Sequence, residues 1–234
     1  MMQSLSKWAT SKLFLPYDIY ERHRKIGSLI DNNQTVVDIG GELGHLSHFC
    51  KPAKVTVANL KSGDVIITKD SLPFSANSFD VVCSIDVLEH IPSSSRKDFV
   101  KKLINVASKI IILSFPLGTK MHIEKEKEIY EWLRKRRGNV AYLDEHIKYG
   151  LPTPSEIKKL TDVKKTQIIY SGDIRLNKFL FYFHMLDPRV KFIRQAIYFV
   201  KLLFNFLTNP ILYTFLSNRK FSKTVNRAYL IIRK

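Results

Sequence analysis

Short apolar runs alternate with amphipathic stretches over the first half of the chain. The apolar runs predict buried strands at 36–39, 54–57, 65–67, 81–85 and 110–115. Helical spacing predicts helices within 1–31, where Pro16 separates a short helix from a longer one, and at 43–50 and 96–108. Strands that are continuously apolar and alternate with helices indicate a parallel sheet covered on both faces.

The second half continues this pattern and then departs from it. We expect a charged helix at 123–137, a polar and aromatic loop at 142–152, a short helix at 155–160, and strands at 166–171 and 227–233. Between the last two strands lies an insertion rich in Phe and Tyr, whose charges are almost all positive. The expected parts are N-terminal helices (1–31), a core (32–175), the insertion (176–222) and the last strand of the core sheet (223–234).

One stretch of the insertion, 189–207, has the pattern of a helix with a narrow polar edge. Its polar positions recur at steps of three and four: Lys191, Arg194, Tyr198, Lys201 and Asn205. Nearly all other positions are apolar, which is typical of a helix that lies in a membrane interface. The alternative is a helix packed on the domain with its polar stripe facing water.

The stretch 196–216 is also long enough to span a membrane. Lys201, Asn205 and the helix break expected at Asn209-Pro210 argue against a span. The last strand must also rejoin the sheet, which excludes a single crossing. We therefore expect the insertion to bind at the interface.

Composition and charge narrow the class of protein. The 234 residues, 45% of them hydrophobic, suffice for one large globular domain. Cys50 and Cys83 lie in apolar runs, so neither a disulfide nor a metal site is expected. No apolar secretory signal is visible at the N-terminus, which predicts a cytoplasmic protein.

The net charge of +17 favours a polyanionic partner, either nucleic acid or an anionic membrane. In the insertion the basic residues are interleaved with Leu, Ile and Phe, which need burial. This pattern favours lipid over nucleic acid.

A glycine turn follows the first strand, with the sequence Asp38-Ile39-Gly40-Gly41-Glu42-Leu43-Gly44. Glycines let a backbone approach a ligand closely, and free amides at a helix N-terminus attract anionic groups. Taken alone, the turn is also compatible with a plain connection between strand and helix.

Two further motifs accompany the turn: Leu72-Pro73-Phe74 followed by Ser78-Phe79-Asp80-Val81-Val82, and Asp86-Val87-Leu88-Glu89-His90-Ile91-Pro92. Together the three motifs resemble class I S-adenosylmethionine-dependent methyltransferases, of the ubiquinone and menaquinone branch that includes many small-molecule enzymes. The resemblance implies an α/β fold with a Rossmann-like, doubly wound, seven-stranded and mostly parallel sheet. Its last strand is antiparallel, and here a helical insertion separates the last two strands. S-adenosylmethionine is the implied cofactor.

The resemblance also implies which residues bind the cofactor: Asp38, Gly40, Gly41, Glu42, Gly44, Asn59, Leu60, Thr68, Lys69, Ile85 and Asp86. Glu42 replaces the middle glycine of the family's turn, and we expect it to face the amino group of the cofactor's methionine part. Asn59 stands where many members carry an acid for the ribose hydroxyls, and it can still donate and accept hydrogen bonds. If these departures mark a degenerate pocket, the protein is a non-catalytic scaffold.

Two histidines are the candidate catalytic residues, because a hydroxyl acceptor must lose a proton. His90 lies one helical turn beyond Asp86, and His146 has Glu145 beside it. The alternative for His90 is a structural role, in which it bonds and holds the loop after the fourth strand. The alternative for His146 is a position in a solvated surface loop.

The expected function is methylation of a lipophilic or lipid-linked small-molecule acceptor by a peripheral protein on the cytoplasmic face of an anionic membrane. The alternative within the same chemistry is an RNA or soluble-metabolite methyltransferase whose insertion packs on the core or on a second subunit.

Overall fold

Seven strands form a single sheet. The computed structural model describes residues 12–42, 46–52 and 54–234. The strands are β1 (Thr35–Ile39), β2 (Lys54–Asn59), β3 (Val65–Ile66), β4 (Phe79–Ile85), β5 (Ala107–Pro116), β6 (Thr166–Ser171) and β7 (Arg227–Arg233). Their order is β3-β2-β1-β4-β5-β7-β6. The first five are parallel, and β7 is antiparallel to both of its neighbours, β5 and β6.

Helices cover both faces of this sheet or form the insertion. They are α1 (Tyr17–Gly27), α2 (Ser93–Val106), α3 (Lys120–Arg137), α4 (Ala141–Tyr149), α5 (Pro154–Ile157), α6 (Ile174–His184) and α7 (Lys191–Leu216). Single 3₁₀ turns lie at Lys12–Phe14, Leu46–His48 and Leu88–His90. The predicted fold class is confirmed, including the helical insertion between the last two strands.

Alternate residues of the strands pack into two separate hydrophobic cores, one on each face of the sheet. Val37, Val82 and Ile111 pack on one face of the sheet, beneath Val100 and Leu103 of α2. The neighbouring residues in each strand, such as Val36, Val81 and Ile112, pack on the other face, against Ile26 of α1. Because both faces are buried, these strands are apolar throughout, which is why the sequence pattern locates them.

Three predicted elements differ from the structure. The predicted loop at 142–152 is wrong, since α4 forms there and buries Leu143 and His146 on one face. The predicted helix at 43–50 is also wrong in its described part, which holds only the 3₁₀ turn before Pro52. Residues 43–45, and the residues of the predicted N-terminal helix before Lys12, lie outside the described residues.

The third difference is in α7, where the Asn209-Pro210 pair does not break the helix. The helix continues to Leu216 because its inner face is held on both sides of Pro210. Asn209 Nδ2 donates to the carbonyl oxygens of Leu13 and Leu15 at 3.0 and 2.9 Å. Beyond the proline, Tyr213 and Leu216 pack in a cluster with Tyr17 and Tyr20.

By length and composition, α7 is the one helix in the described ranges that qualifies as a candidate membrane span. Its most apolar 18-residue window has a mean hydropathy of 1.3, and 11% of that window is buried. Most of this apolar surface therefore lies outside the protein core.

Candidate active site

The predicted cofactor residues lie where the sheet reverses its strand order, between β1 and β4. In open α/β sheets, ligands bind beyond the carboxyl ends of strands at such a point. Gly40 follows β1 with a φ of 83°, a conformation that favours glycine. A Cβ atom on Gly40 would overlap Val87, and one on Gly41 would overlap the Asp38 carboxylate. The two glycines are thus required by the protein's own close packing at this turn.

Asp38 and Asn59 support the turn from below. Asn59 Nδ2 donates to the carbonyl oxygens of Gly40 and Gly41, at 3.2 and 2.9 Å. Asp38 is 1% exposed, and neither carboxyl oxygen has a hydrogen-bond partner among the described residues. Burial raises the pKa of Asp38 to about 7. A buried acceptor beneath a glycine turn fits a ligand that brings hydrogen-bond donors, as S-adenosylmethionine does.

The other predicted cofactor residues are spread along the same edge of the sheet. Leu60, Thr68 and Lys69 follow β2 and β3 and are exposed. Glu42 is exposed as well, and Gly44 lies outside the described residues. Ile85 is buried at the carboxyl end of β4.

Asp86 is held by two arginines that the sequence did not single out. Arg22 of α1 donates to its carboxylate at 2.5 Å, and Arg227 of β7 donates to both of its oxygens. Burial alone would raise the pKa of Asp86, but these two guanidinium groups bring it down to about 2. The carboxylate therefore stays charged and fixes α1 and β7 at the end of β4.

A cavity of about 310 Å³ opens beside this ion-pair network. Its walls come from α1, α3, α4, α6 and the turn after β4, and they include Arg22, His122, Glu126, Tyr142, Asn177 and Phe181. Both predicted catalytic histidines, His90 and His146, line it. The cavity therefore lies next to the predicted cofactor residue Asp86 and has room for a small acceptor group.

The two histidines are side by side, and each is paired with a carboxylate. Their ring centroids are 4.8 Å apart. His90 Nδ1 lies 2.7 Å from Glu145 Oε2, and His146 Nδ1 lies 2.9 Å from Glu126 Oε1. Because a carboxylate only accepts, each Nδ1 carries the hydrogen, and each Nε2 of a neutral ring is left as an acceptor.

Burial and the neighbouring His146 lower the pKa of His90, so this ring is neutral at neutral pH. His146 is buried, and its Nε2 atom has no hydrogen-bond partner in the described part of the chain. Burial also lowers the pKa of the adjacent His122, to about 4. The cavity wall thus carries the neutral imidazoles of His90 and His122, beside His146 Nε2.

Glu89 completes this wall and was not predicted as a site residue. It is 1% exposed, and its Oε2 atom is without a hydrogen-bond partner among the described residues. Burial and the nearby Asp86 raise its pKa well above the ordinary value. A buried acid next to two histidines is the only signal that would have identified it, and that proximity arises from the fold.

Arg96 positions the segments that carry these side chains. It is 1% exposed, and its Nε donates to the carbonyl oxygens of Leu88 and Ile91, both at 3.0 Å. Its two terminal nitrogens donate to the Glu156 carboxylate and to the carbonyl oxygens that end α4. One buried guanidinium therefore joins the turn of His90 to the helix of His146.

Comparisons with known proteins agree with this geometry. Residues 33–109 match the family described as methyltransferase domain. No curated protein matches the chain. Among solved structures, the plantazolicin methyltransferase BpumL in complex with monoazolic desmethylPZN analog and SAH is similar, with a TM-score of 0.53 and 12% identity over 100% of this chain and 90% of that one.

A second similar structure is Haemonchus contortus phosphoethanolamine N-methyltransferase 2 in complex with S-adenosyl-L-methionine. Its TM-score is 0.51 at 14% identity, over 90% of this chain and 50% of that chain. The present chain thus spans about half the length of that methyltransferase.

The family match over 33–109 and the fold of the whole chain agree with the predicted resemblance to class I S-adenosylmethionine-dependent methyltransferases. S-adenosylmethionine is the cofactor of this domain type. The matches do not place the chain in the ubiquinone and menaquinone branch.

Proposed function

We propose that the protein is a methyltransferase that methylates a lipophilic or lipid-linked acceptor at the surface of an anionic membrane. The observation that carries this proposal is the surface of α7, which exposes large apolar side chains and buries polar ones. A helix on a water-soluble domain turns its apolar face inward and its polar face to water.

The two most buried residues of α7, Asn205 and Asn209, are polar, and they lie among the inward apolar side chains of Phe204, Leu212, Tyr213 and Leu216. Asn205 is 2% exposed, and its side chain bonds the carbonyl oxygen of Phe14 and the ring of His184. Lys201 Nζ donates to the carbonyl oxygens of His184 and Leu186, at 2.8 and 2.6 Å. The predicted polar stripe therefore faces the protein at these positions, contrary to the alternative in which it faces water.

The outer face of α7 is apolar along its whole length. Its large exposed hydrophobic residues are Phe192, Ile193, Tyr198, Phe199, Val200, Leu203, Phe206, Leu207, Ile211 and Phe215. Phe192 is 78% exposed and Phe215 is 75% exposed. An apolar surface of this length is rare on a monomeric soluble protein and is typical of a membrane or protein contact.

Basic side chains at both ends of this face favour an anionic membrane as the contact. Arg189 is exposed just before the helix and Lys191 is exposed as its first residue, and Lys220 and Lys223 are exposed after it. Lys201 of the predicted polar edge instead donates to backbone oxygens of the protein. The polar contacts of α7 with residues 13–15 hold the helix flat against the domain, which supports an interfacial position over a span.

The insertion also connects this surface to the cavity. Ile174, Asn177 and Phe181 of α6 line the cavity. On its other side α6 packs on α7, where the rings of Phe183 and Phe204 have centroids 4.9 Å apart. An acceptor anchored in the bilayer thus has a short path past α6 to the histidine pair.

Within this proposal, Asp38, Gly40, Gly41 and Asn59 hold the cofactor, which supplies a methyl group on a sulfonium when bound. His146 Nε2 takes the proton of the acceptor. Glu126 holds the His146 ring by its Nδ1–H, so that the unprotonated nitrogen faces the cavity.

The test is transfer of a radiolabelled methyl group from S-adenosylmethionine into vesicles of total membrane lipid. We expect label in the organic extract, and we expect His146→Gln to lower kcat by about 10²–10⁴ with an unchanged KM for the cofactor. Label that appears only in RNA or in water-soluble products would contradict the lipid acceptor. No transfer from a protein that binds the cofactor would favour the scaffold alternative.

A further inference from the structure

We propose that Glu89, His90 and His146 bind a divalent first-row transition-metal ion, with Zn²⁺ as the expected ion, in the wall of the acceptor cavity. Binding of the ion depends only on these residues, whereas its use in catalysis rests on the proposed function. The sequence alone led us to expect no metal.

The first observation is the convergence of three ligand atoms. One atom from each of the three side chains lies within 4.8 Å of the other two. Glu89 Oε2 and His146 Nε2 are buried and have no hydrogen-bond partner within the described ranges. Orphaned buried acceptors are costly, and an ion between them would satisfy both.

The second observation concerns the nitrogen atoms on the far side of each ring. Histidines that bind metals usually donate the other ring N–H to a carboxylate, which fixes the tautomer and the ring orientation. Here both rings do so, His90 to Glu145 and His146 to Glu126. Two such pairs that converge with a third carboxylate give the arrangement of a metal site with its outer partners already in place.

The carboxyl groups around the pair also favour a cation, and Glu89, whose pKa is raised in the absence of an ion, would release its proton when the ion binds. Three carboxyl groups, those of Glu89, Glu126 and Glu145, surround the two imidazoles. The two arginines that line the cavity, Arg22 and Arg227, are engaged with Asp86. The histidine cluster therefore has no basic side chain among its hydrogen-bond and ion-pair contacts in the described chain.

The ligand set indicates the class of ion. Two histidines and one glutamate with open positions form a common catalytic zinc site, and the same ligand types bind other first-row metals. Zinc ligands at bond lengths of 2.0–2.1 Å lie about 3.3 Å apart, so atoms that are now up to 4.8 Å apart need to draw together by up to about 1.5 Å. His90 is half-buried on a single 3₁₀ turn and is the ligand best placed to move.

The open positions of the ion face the cavity, where they bind the nucleophilic oxygen of the acceptor. An ion there lowers the pKa of a bound hydroxyl and so promotes its deprotonation. In the metal-loaded protein, His146 Nε2 is therefore a ligand and not a base, and the hydroxyl proton passes to solvent water in the open cavity.

The experiment is a titration of the purified, chelator-treated protein with Co²⁺, whose visible absorption reports nitrogen and oxygen ligation, followed by displacement with Zn²⁺. We expect one ion per chain. Glu89→Gln, His90→Gln and His146→Gln should weaken binding by more than about 100-fold, and Glu126→Gln, an outer partner, by about 10- to 100-fold. His122→Gln is the matched control, because His122 lines the same cavity outside the cluster, and it should bind the ion as wild type does.

Several outcomes would overturn the proposal. One is a folded wild-type protein that binds no Co²⁺, and another is equal affinity in wild type, His90→Gln and His146→Gln. Thermal unfolding of each variant shows whether a loss of binding reflects a loss of fold, and the wild-type titration is decisive without any variant. If the protein binds no Co²⁺ and still transfers methyl groups in the presence of chelator, the metal proposal is wrong and the proposed function stands. If the protein binds Co²⁺ but transfers no methyl group, the proposed function is wrong and the metal site stands.

Discussion

Replacing Phe199 and Leu203 together by Ser should release the protein from membranes without unfolding it. Both side chains project from the outer face of α7, where they are 54% and 59% exposed. Burying a whole Phe or Leu side chain is worth about 1.5–3 kcal/mol. The exposed half of each residue therefore contributes roughly 1–1.5 kcal/mol on entering the interface. The double variant should lose about 2–3 kcal/mol, or roughly 30- to 150-fold in partitioning.

Sedimentation with vesicles measures this effect directly. Ile66→Ser is the matched control, since Ile66 is 60% exposed on the edge strand β3, far along the sheet from the insertion. Wild type should bind anionic vesicles better than neutral ones, and salt should weaken only the electrostatic part. An equal loss in the control, or wild-type binding by the double variant, would refute the membrane contact. If the protein sediments with no vesicle and is a dimer by light scattering, a second copy covers α7 instead.

Three further variants test how the site is built. Asn59→Asp introduces the acid that many family members carry. It should still weaken S-adenosylhomocysteine binding by roughly tenfold in calorimetry, because the two hydrogen bonds that the Asn59 amide donates to the glycine turn are lost. Unchanged affinity would show that these bonds are dispensable. Arg96→Lys should lower the free energy of unfolding by roughly 3 kcal/mol in urea titrations, since lysine lacks the planar fork that bonds three segments; a change under 1 kcal/mol would argue against that role. Hydrogen bonds from Arg175 lower the pKa of Asp173, the N-cap of α6, to about 2. This carboxylate therefore stabilises the fold above about pH 4 and ceases to do so as the pH falls to about 2. Asp173→Asn, which keeps the cap, should be less stable than wild type at pH 7 and equal to it near pH 2, and a pH-independent difference would contradict the charge effect.

The central strands of the sheet were predictable because they are buried on both faces. Arg227–Arg233 could be located to the residue, since its apolar run ends where the chain leaves the core. The edge strand Thr166–Ser171 is mostly half-buried, and its β-branched and aromatic residues located it. The region 142–152 was not, because only Leu143 and His146 of its helix are buried, and the apolar Ile147 is exposed, so the apolar residues do not mark one face. A weakly amphipathic segment of this kind forms a stable helix only when a neighbouring element covers its apolar residues.

The candidate site was predictable in its motifs but not in its contacts. The motifs placed the glycine turn and Asp86 at one edge of the sheet, and His90 and His146 were recognised by their chemistry. Their pairing across 56 positions in sequence depends on Arg96, whose burial no local pattern indicates. The inward orientation of Asn205 in α7 was unpredictable for the same reason, because its backbone partner, the carbonyl oxygen of Phe14, is 191 residues away in sequence.

Cofactor binding is the step on which the proposed methyl transfer depends. Isothermal calorimetry of the full-length chain with S-adenosylhomocysteine, and then with S-adenosylmethionine, measures it without any assumption about the acceptor. The predicted result is one ligand per chain, with affinity reduced in Asn59→Asp. The absence of heat at millimolar concentrations of either ligand, from a folded protein, would contradict the assignment of this cleft as a methyl-donor site.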